Sequence, residues 1–129
     1  MAPGHQRELE SLQKQLQEEL DKLKNVQKDY QKSLGNRQKL ESQKNENKMV
    51  EEELNRLDGS ADVYKMLGPV LIKQDLEEAK QNVAKRMEYI TGELKRTDDI
   101  IKDLETKQDT HRETLGKIQQ KFQQAQAKK

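Results

Sequence analysis

The chain of 129 residues has no cysteine and no tryptophan, two prolines, three tyrosines and a single phenylalanine. Without cysteine there is no disulfide framework, no thiol nucleophile and no zinc–thiolate site, a composition compatible with a reducing cytosol. So few aromatic rings leave little to line a deep cofactor pocket or to stack on bases, and no cofactor is expected. Only 30% of the residues are hydrophobic, against a usual ~45 to 50% once glycine is counted, which excludes a thick globular core. No apolar run approaches the ~20 residues of a membrane span, and no signal peptide is expected. Neither sign of charge dominates, with 25 basic against 24 acidic side chains. No net field therefore steers the chain to nucleic acid or to an anionic membrane. The composition points to a soluble intracellular protein of the cytoplasm.

A mean hydropathy of −1.26 is compatible with disorder unless the few apolar residues are periodic. They are periodic. Val83, Ile90, Thr97, Leu104, His111, Ile118 and Ala125 recur every seven residues, interleaved with Met87, Leu94, Ile101, Gln108, Leu115 and Phe122. All but Thr97, His111 and Gln108 are apolar in a segment otherwise rich in charge, which is the a/d seam of a coiled coil. The N-terminal half repeats the pattern through Leu9, Leu12, Leu16, Leu23, Val26, Tyr30, Leu40 and Leu54. Leu20, Leu34, Val50 and Leu57 stand one place off, so this seam is expected to drift. From Arg37 to Asn47, after Gly35-Asn36, the strict positions are nearly all polar, and a loosened or kinked coil is expected there.

The middle of the chain differs in kind. Asp58-Gly59-Ser60 supplies a helix stop and turn residues. Val63 to Leu67 and Val70 to Lys73 then read as two short strands around Gly68-Pro69, in the manner of a type II′ hairpin turn. The predicted order is a helix over 6–57, a hairpin over 62–74 and a helix over 75–127. The fold class is mainly α, an antiparallel two-helix coiled coil with a central β-hairpin. A mirror about Leu67 sets Leu9, Leu12 and Leu16 near Ala125, Phe122 and Ile118, and places Ile90 and Leu94 opposite the weak zone.

Val63 and Leu67 face one side of the hairpin, Tyr64 and Met66 the other, and Val70, Leu71 and Ile72 are three apolar residues in a row. Neither face is polar, and a lone two-stranded sheet is marginal with exposed edges. Its simplest cover is other hairpins of the same type, closing a shared sheet or barrel between subunits. The plainer alternative is a decorated turn whose apolar residues pack back on the helix ends.

Leu57-Asp58-Gly59-Ser60, followed by Val63-Tyr64-Lys65-Met66-Leu67-Gly68-Pro69-Val70-Leu71-Ile72-Lys73-Gln74, resembles the central hairpin of the β-type prefoldin subunits. Gly35 to Glu41, Glu46-Asn47, Val50 with Glu52-Glu53-Leu54, and Lys85 to Ile90 are similar to the same family, and one hairpin fits the β-type. The resemblance implies a hexamer in which two α-type and three further β-type subunits join this chain through hairpin β-barrels. The interface residues would be Val63, Tyr64, Met66, Leu67, Gly68, Pro69, Val70, Leu71 and Ile72. It also implies an ATP-independent co-chaperone, not an enzyme, that holds unfolded actin and tubulin at coiled-coil tips and passes them to the cytosolic chaperonin. At those tips, position and polarity single out Leu9, Leu12, Leu16, Leu115, Ile118 and Phe122 as the client-binding residues, partly exposed because no further layer lies above them.

Other candidates carry less. His111 stands on the seam with its neighbours Asp109 and Glu113 pointing elsewhere, and His5 lies in a tail expected to fray, so no metal ligands converge. Asp98, Asp99 and Asp103 beside Lys95-Arg96 read as a solvated face with i,i+4 pairs. Glu51-Glu52-Glu53 and Lys128-Lys129 read the same way. Gly92 and Gly116 weaken the second helix, with more mobility expected near Gly116. The competing functional class is a static coiled-coil scaffold or tether, which would bury its seam to the ends and need no apolar hairpin. Basic residues are interspersed with acidic ones on both arms, which argues against nucleic acid.

Overall fold

A computed structural model describes residues 3–127; Lys128 and Lys129, read above as solvated, lie outside them. The element order is helix α1 over Pro3–Arg56, strand β1 over Val63–Leu67, strand β2 over Val70–Gln74 and helix α2 over Leu76–Ala127. Proline suits the opening turn of α1, where its missing N–H is an orphan anyway. The segment expected to fray is helical from Pro3 on, so His5 belongs to α1. Asp75 caps α2: its Oδ2 accepts from the Glu78 N–H at 3.3 Å and its carbonyl accepts from the Ala79 N–H at 2.9 Å. The helix therefore begins one residue after it.

Between α1 and β1 the Leu57 N–H donates back to the Leu54 carbonyl and the Ala61 N–H to that of Asp58. Asp58 Oδ1 also accepts from the Ser60 N–H at 2.9 Å and hydroxyl at 2.5 Å. Those Ser60 bonds, the hydroxyl's first, hold the Asp58 carboxyl below its usual range. The strands are antiparallel, from Val63 opposite Gln74 to Leu67 opposite Val70. Pairing of Val63 with Gln74 carries β2 one residue past Lys73. Gly68 takes φ +60° and Pro69 cannot, which leaves the type II′ turn as the two-residue connection.

The chain divides into two compact units, one holding the described residues up to Leu34 with those from Asp99 onward, the other Gly35–Asp98. In the second unit Leu40 packs with Ile90 and Leu94, and Leu54 with Ala79 and Val83. As α1 is followed backwards α2 advances, so the helices run antiparallel. In the first unit Tyr30 meets Glu105 and Glu19 meets His111, with the same sense. Neither helix is apolar enough to persist alone in water, and each buried leucine of the seam contributes about 1.5 to 3 kcal/mol.

One expectation about α1 needs correction. The seam does not drift: positions 9, 12, 16, 19, 23, 26, 30, 33, 37, 40, 44, 47, 51 and 54 are all buried or half-buried in unbroken steps of three and four. Leu34, Val50 and Leu57 remain exposed beside it, while Glu19, Ser33, Arg37, Lys44, Asn47 and Glu51 occupy it. Packing against the strict seam of α2 sets the register, and α1 keeps a 3.5 period even where that puts polar residues inward. The helix α1 carries no break in its hydrogen-bonded run from Pro3 to Arg56, Gly35 included. Burial of Leu40 outweighs the glycine's cost. Looseness survives only as an open groove between Gln43 and Asn47 of α1 and Lys85, Arg86, Tyr89 and Ile90 of α2. Arg37, on the seam, turns outward to Asp98 at 2.6 Å and Glu41 at 3.4 Å, and its hydrogen bond to Asp98 raises the guanidinium pKa further.

A Cβ added at Gly35 meets nothing within 4 Å, so Gly35→Ala should raise helix stability by about 1 kcal/mol in thermal unfolding followed by circular dichroism. Gly68→Ala should do the opposite locally. A side chain at φ +60° costs about 1 to 2 kcal/mol, read as loss of cross-strand NMR contacts between Leu67 and Val70.

Candidate functional site

The hairpin presents two faces, and the register decides what each holds. Tyr64, Met66, Leu71 and Lys73 share one face, and Val63, Lys65, Leu67, Val70, Ile72 and Gln74 the other. Only Val63 is spent on the chain's own core, packing with Leu76 and Met87 against Leu54, Ala79 and Val83. Tyr64 is 54% exposed, Met66 72% and Leu71 61%, and Leu67, Val70 and Ile72 are likewise open to solvent. The alternative of a decorated turn folded back on the helix ends therefore holds for Val63 alone. The other six form a contiguous uncovered apolar patch on both faces of a two-stranded sheet, with Gly68 and Pro69 exposed at its turn. Such a patch marks an interaction surface in a stable soluble chain.

The six tip residues are placed differently. Leu12 is 8% and Ile118 9% exposed, while Leu9, Leu16, Leu115 and Phe122 are half-buried. All six lie in the unit that contains both helix ends, and its seam is closed, with Ala125 buried as well. Partial exposure holds for four of them.

Several features escaped sequence reasoning. Tyr89 is 68% exposed beside the groove in the second unit, and Met49 and Val50 are exposed on α1. Tyr64 and Val50 line a second groove with Asn82 and Arg86. His111 does have a carboxylate partner, contributed by α1: its Nδ1 lies 2.5 Å from Glu19 Oε1. A carboxylate only accepts, so Nδ1 carries the proton. Among the described residues no group of three or more His, Cys, Asp or Glu could hold a metal ion, and no helix is long and apolar enough to cross a membrane.

The prefoldin subunit family matches residues 17–125. The chain belongs to the prefoldin subunit family. It is 53% identical over 120 residues to prefoldin subunit 6 of Mus musculus, covering 93% of this chain and 94% of that protein. It is 49% identical to prefoldin subunit 6 of Arabidopsis thaliana, covering 92% of each. Its fold is like that of the prefoldin beta subunit from Thermococcus strain KS-1, with a TM-score of 0.58 at 24% identity over 86% of this chain and 91% of that one. The match to prefoldin read from the hairpin residues thus holds over most of the chain. A prefoldin subunit is a component of the prefoldin chaperone complex and assembles with other prefoldin subunits.

Because Met66 and Leu71 of the prefoldin hairpin are 72% and 61% exposed, charging them should leave the isolated chain intact. Met66→Glu combined with Leu71→Glu should shift the unfolding free energy of the isolated chain by no more than about 0.5 kcal/mol. The same change should weaken binding of an apolar dye severalfold, measured by fluorescence titration.

Proposed function

We propose that the chain is one of four β-type subunits in a hexamer with two α-type subunits, joined by hairpins that close into β-barrels in the cytoplasm. The observation that carries this reading is the exposed hairpin. Six large apolar side chains, uncovered on both faces of a two-stranded sheet, find cover most economically in strands of the same kind. Val63, Tyr64, Met66, Leu67, Gly68, Pro69, Val70, Leu71 and Ile72 make up the assembly surface, with Val63 anchoring it to the helices.

The assembled complex acts as a holdase. Leu9, Leu12, Leu16, Leu115, Ile118 and Phe122 receive unfolded actin- or tubulin-type chains when the seam near the helix ends opens. Individual contacts are weak and strength comes from several subunits acting together, after which the client passes to the cytosolic chaperonin. No bond is made or broken and no nucleotide enters.

One observation favours a second reading. The seam is buried as far as Leu12, Ile118 and Ala125, which is what a static coiled-coil tether requires. The two readings part on client capture. With its α-type partner, the chain should slow aggregation of denatured actin in light scattering without nucleotide, and the tether reading gains if the assembled complex suppresses nothing. Leu71→Glu should drop the assembled mass by light scattering to that of the free subunits, and a persisting hexamer would overturn the hairpin's role.

A further inference from the structure

Glu19 and His111, beside buried Gln108, form a polar layer between two apolar stretches of the seam. The Glu19 side chain is 10% exposed and that of His111 23%, and the two come from residues 92 apart in sequence. Lys22 Nζ reaches the other carboxylate oxygen, Oε2, at 4.0 Å. Gln108, one seam step before His111, is buried too. The position of this layer is what matters. Leu9, Leu12 and Leu16 precede Glu19 on α1, and Leu115, Ile118 and Phe122 follow His111 on α2, so the pair divides those six residues from Leu23, Val26, Ile101 and Leu104 within one unit.

We infer that the Glu19–His111 pair is a latch that sets where the distal seam opens, so that the six tip residues uncover as a block while the seam beyond the pair stays closed. The inference rests on the reading of those six as client-binding residues. Local opening from a helix end is costly wherever it must stop on an exposed apolar layer. At this layer it need not, since a carboxylate and an imidazole are satisfied by water as readily as by each other. In the closed state the same bond is made in one alignment only, so reclosure returns the helices to one register. A leucine pair in its place would leave Gln108 as the one polar seam residue between the two apolar segments and tie their opening together.

The test compares the full wild-type chain with the double variant Glu19→Leu/His111→Leu by amide hydrogen exchange, because exchanging both partners of a buried pair for apolar residues preserves folding where removing one does not. Exchange over residues 9–16 and 115–122 should slow at least tenfold in the double variant, with residues 23–30 and 101–107 changing less than twofold. Glu19→Gln, which retains a hydrogen bond to His111, should stay within about twofold of wild type throughout. Unchanged tip exchange, or slowing spread evenly over both segments, overturns the latch. Holding of guanidine-denatured actin by the complex assembled with the double variant should fall severalfold. Slowed tip exchange with undiminished holding leaves the latch standing and removes the tips as the client site.

Discussion

Mutual burial along one seam is the interaction on which everything else in this molecule depends. Helices in which more than a third of the residues are charged have no reason to persist singly in water, and what holds each is the other's stripe of leucine, isoleucine and valine. That stripe is thin. The register it imposes is correspondingly strict, because a thin stripe misaligned by one turn loses most of its contacts at once. This explains why α1 retains its 3.5 period through Arg37, Lys44, Asn47 and Glu51 when nearby apolar residues at Leu34, Val50 and Leu57 offered an alternative path. Following those residues would have broken alignment with Ile90, Leu94 and Ile101 on α2. Polar groups are tolerated in the seam where they can reach outward, as Arg37 does to Asp98, or across, as His111 does to Glu19.

The hairpin lies outside this economy. Its backbone is paired in one ladder only, so each strand retains an unpaired edge, and its side chains make almost no contact with the helices beyond Val63. In the proposed assembly these two deficits are removed together: strand edges find further strands, and both apolar faces are covered when a sheet curls on itself. The same hairpin contributes little to the stability of the single chain. In the proposed assembly, folding of the helices and association through the hairpin would thereby be separable, so that subunits fold first and assemble afterwards.

The second helix was readable from sequence because its seam keeps a strict heptad spacing with polar residues only at Thr97, Gln108 and His111, and the hairpin because Gly68-Pro69 sits between two strand-like runs. Tertiary pairing was harder. A mirror about Leu67 sets His111 opposite Leu23, one turn from its actual partner Glu19. In an antiparallel coil a seam residue sits between two opposing layers, and linear reflection cannot say which of them it reaches. The seam of α1 misled for a related reason: apolar residues one place off looked like drift, although the partner helix, not the local sequence, decides which column turns inward. Exposure of Tyr89 was invisible because an isolated tyrosine on a helix has no pattern.

An exposed apolar sheet invites indiscriminate pairing, and the distribution of lysine within it argues for selectivity. Lys73 stands opposite Tyr64 on one face and Lys65 opposite Ile72 on the other, so each face carries one ammonium among its apolar neighbours. Lys73 is drawn toward Asp62 at 3.3 Å, an exposed pair that costs little to break. A partner hairpin that leaves room for these charges, or sets an acid against them, covers the patch without penalty. One that stacks an unbroken apolar face over them buries an unpaired charge, which is far more costly than the apolar area it covers is favourable. The two lysines therefore lower the affinity of the hairpin for generic strands more than for a matched one, and a sheet that must stay soluble before assembly requires that inequality.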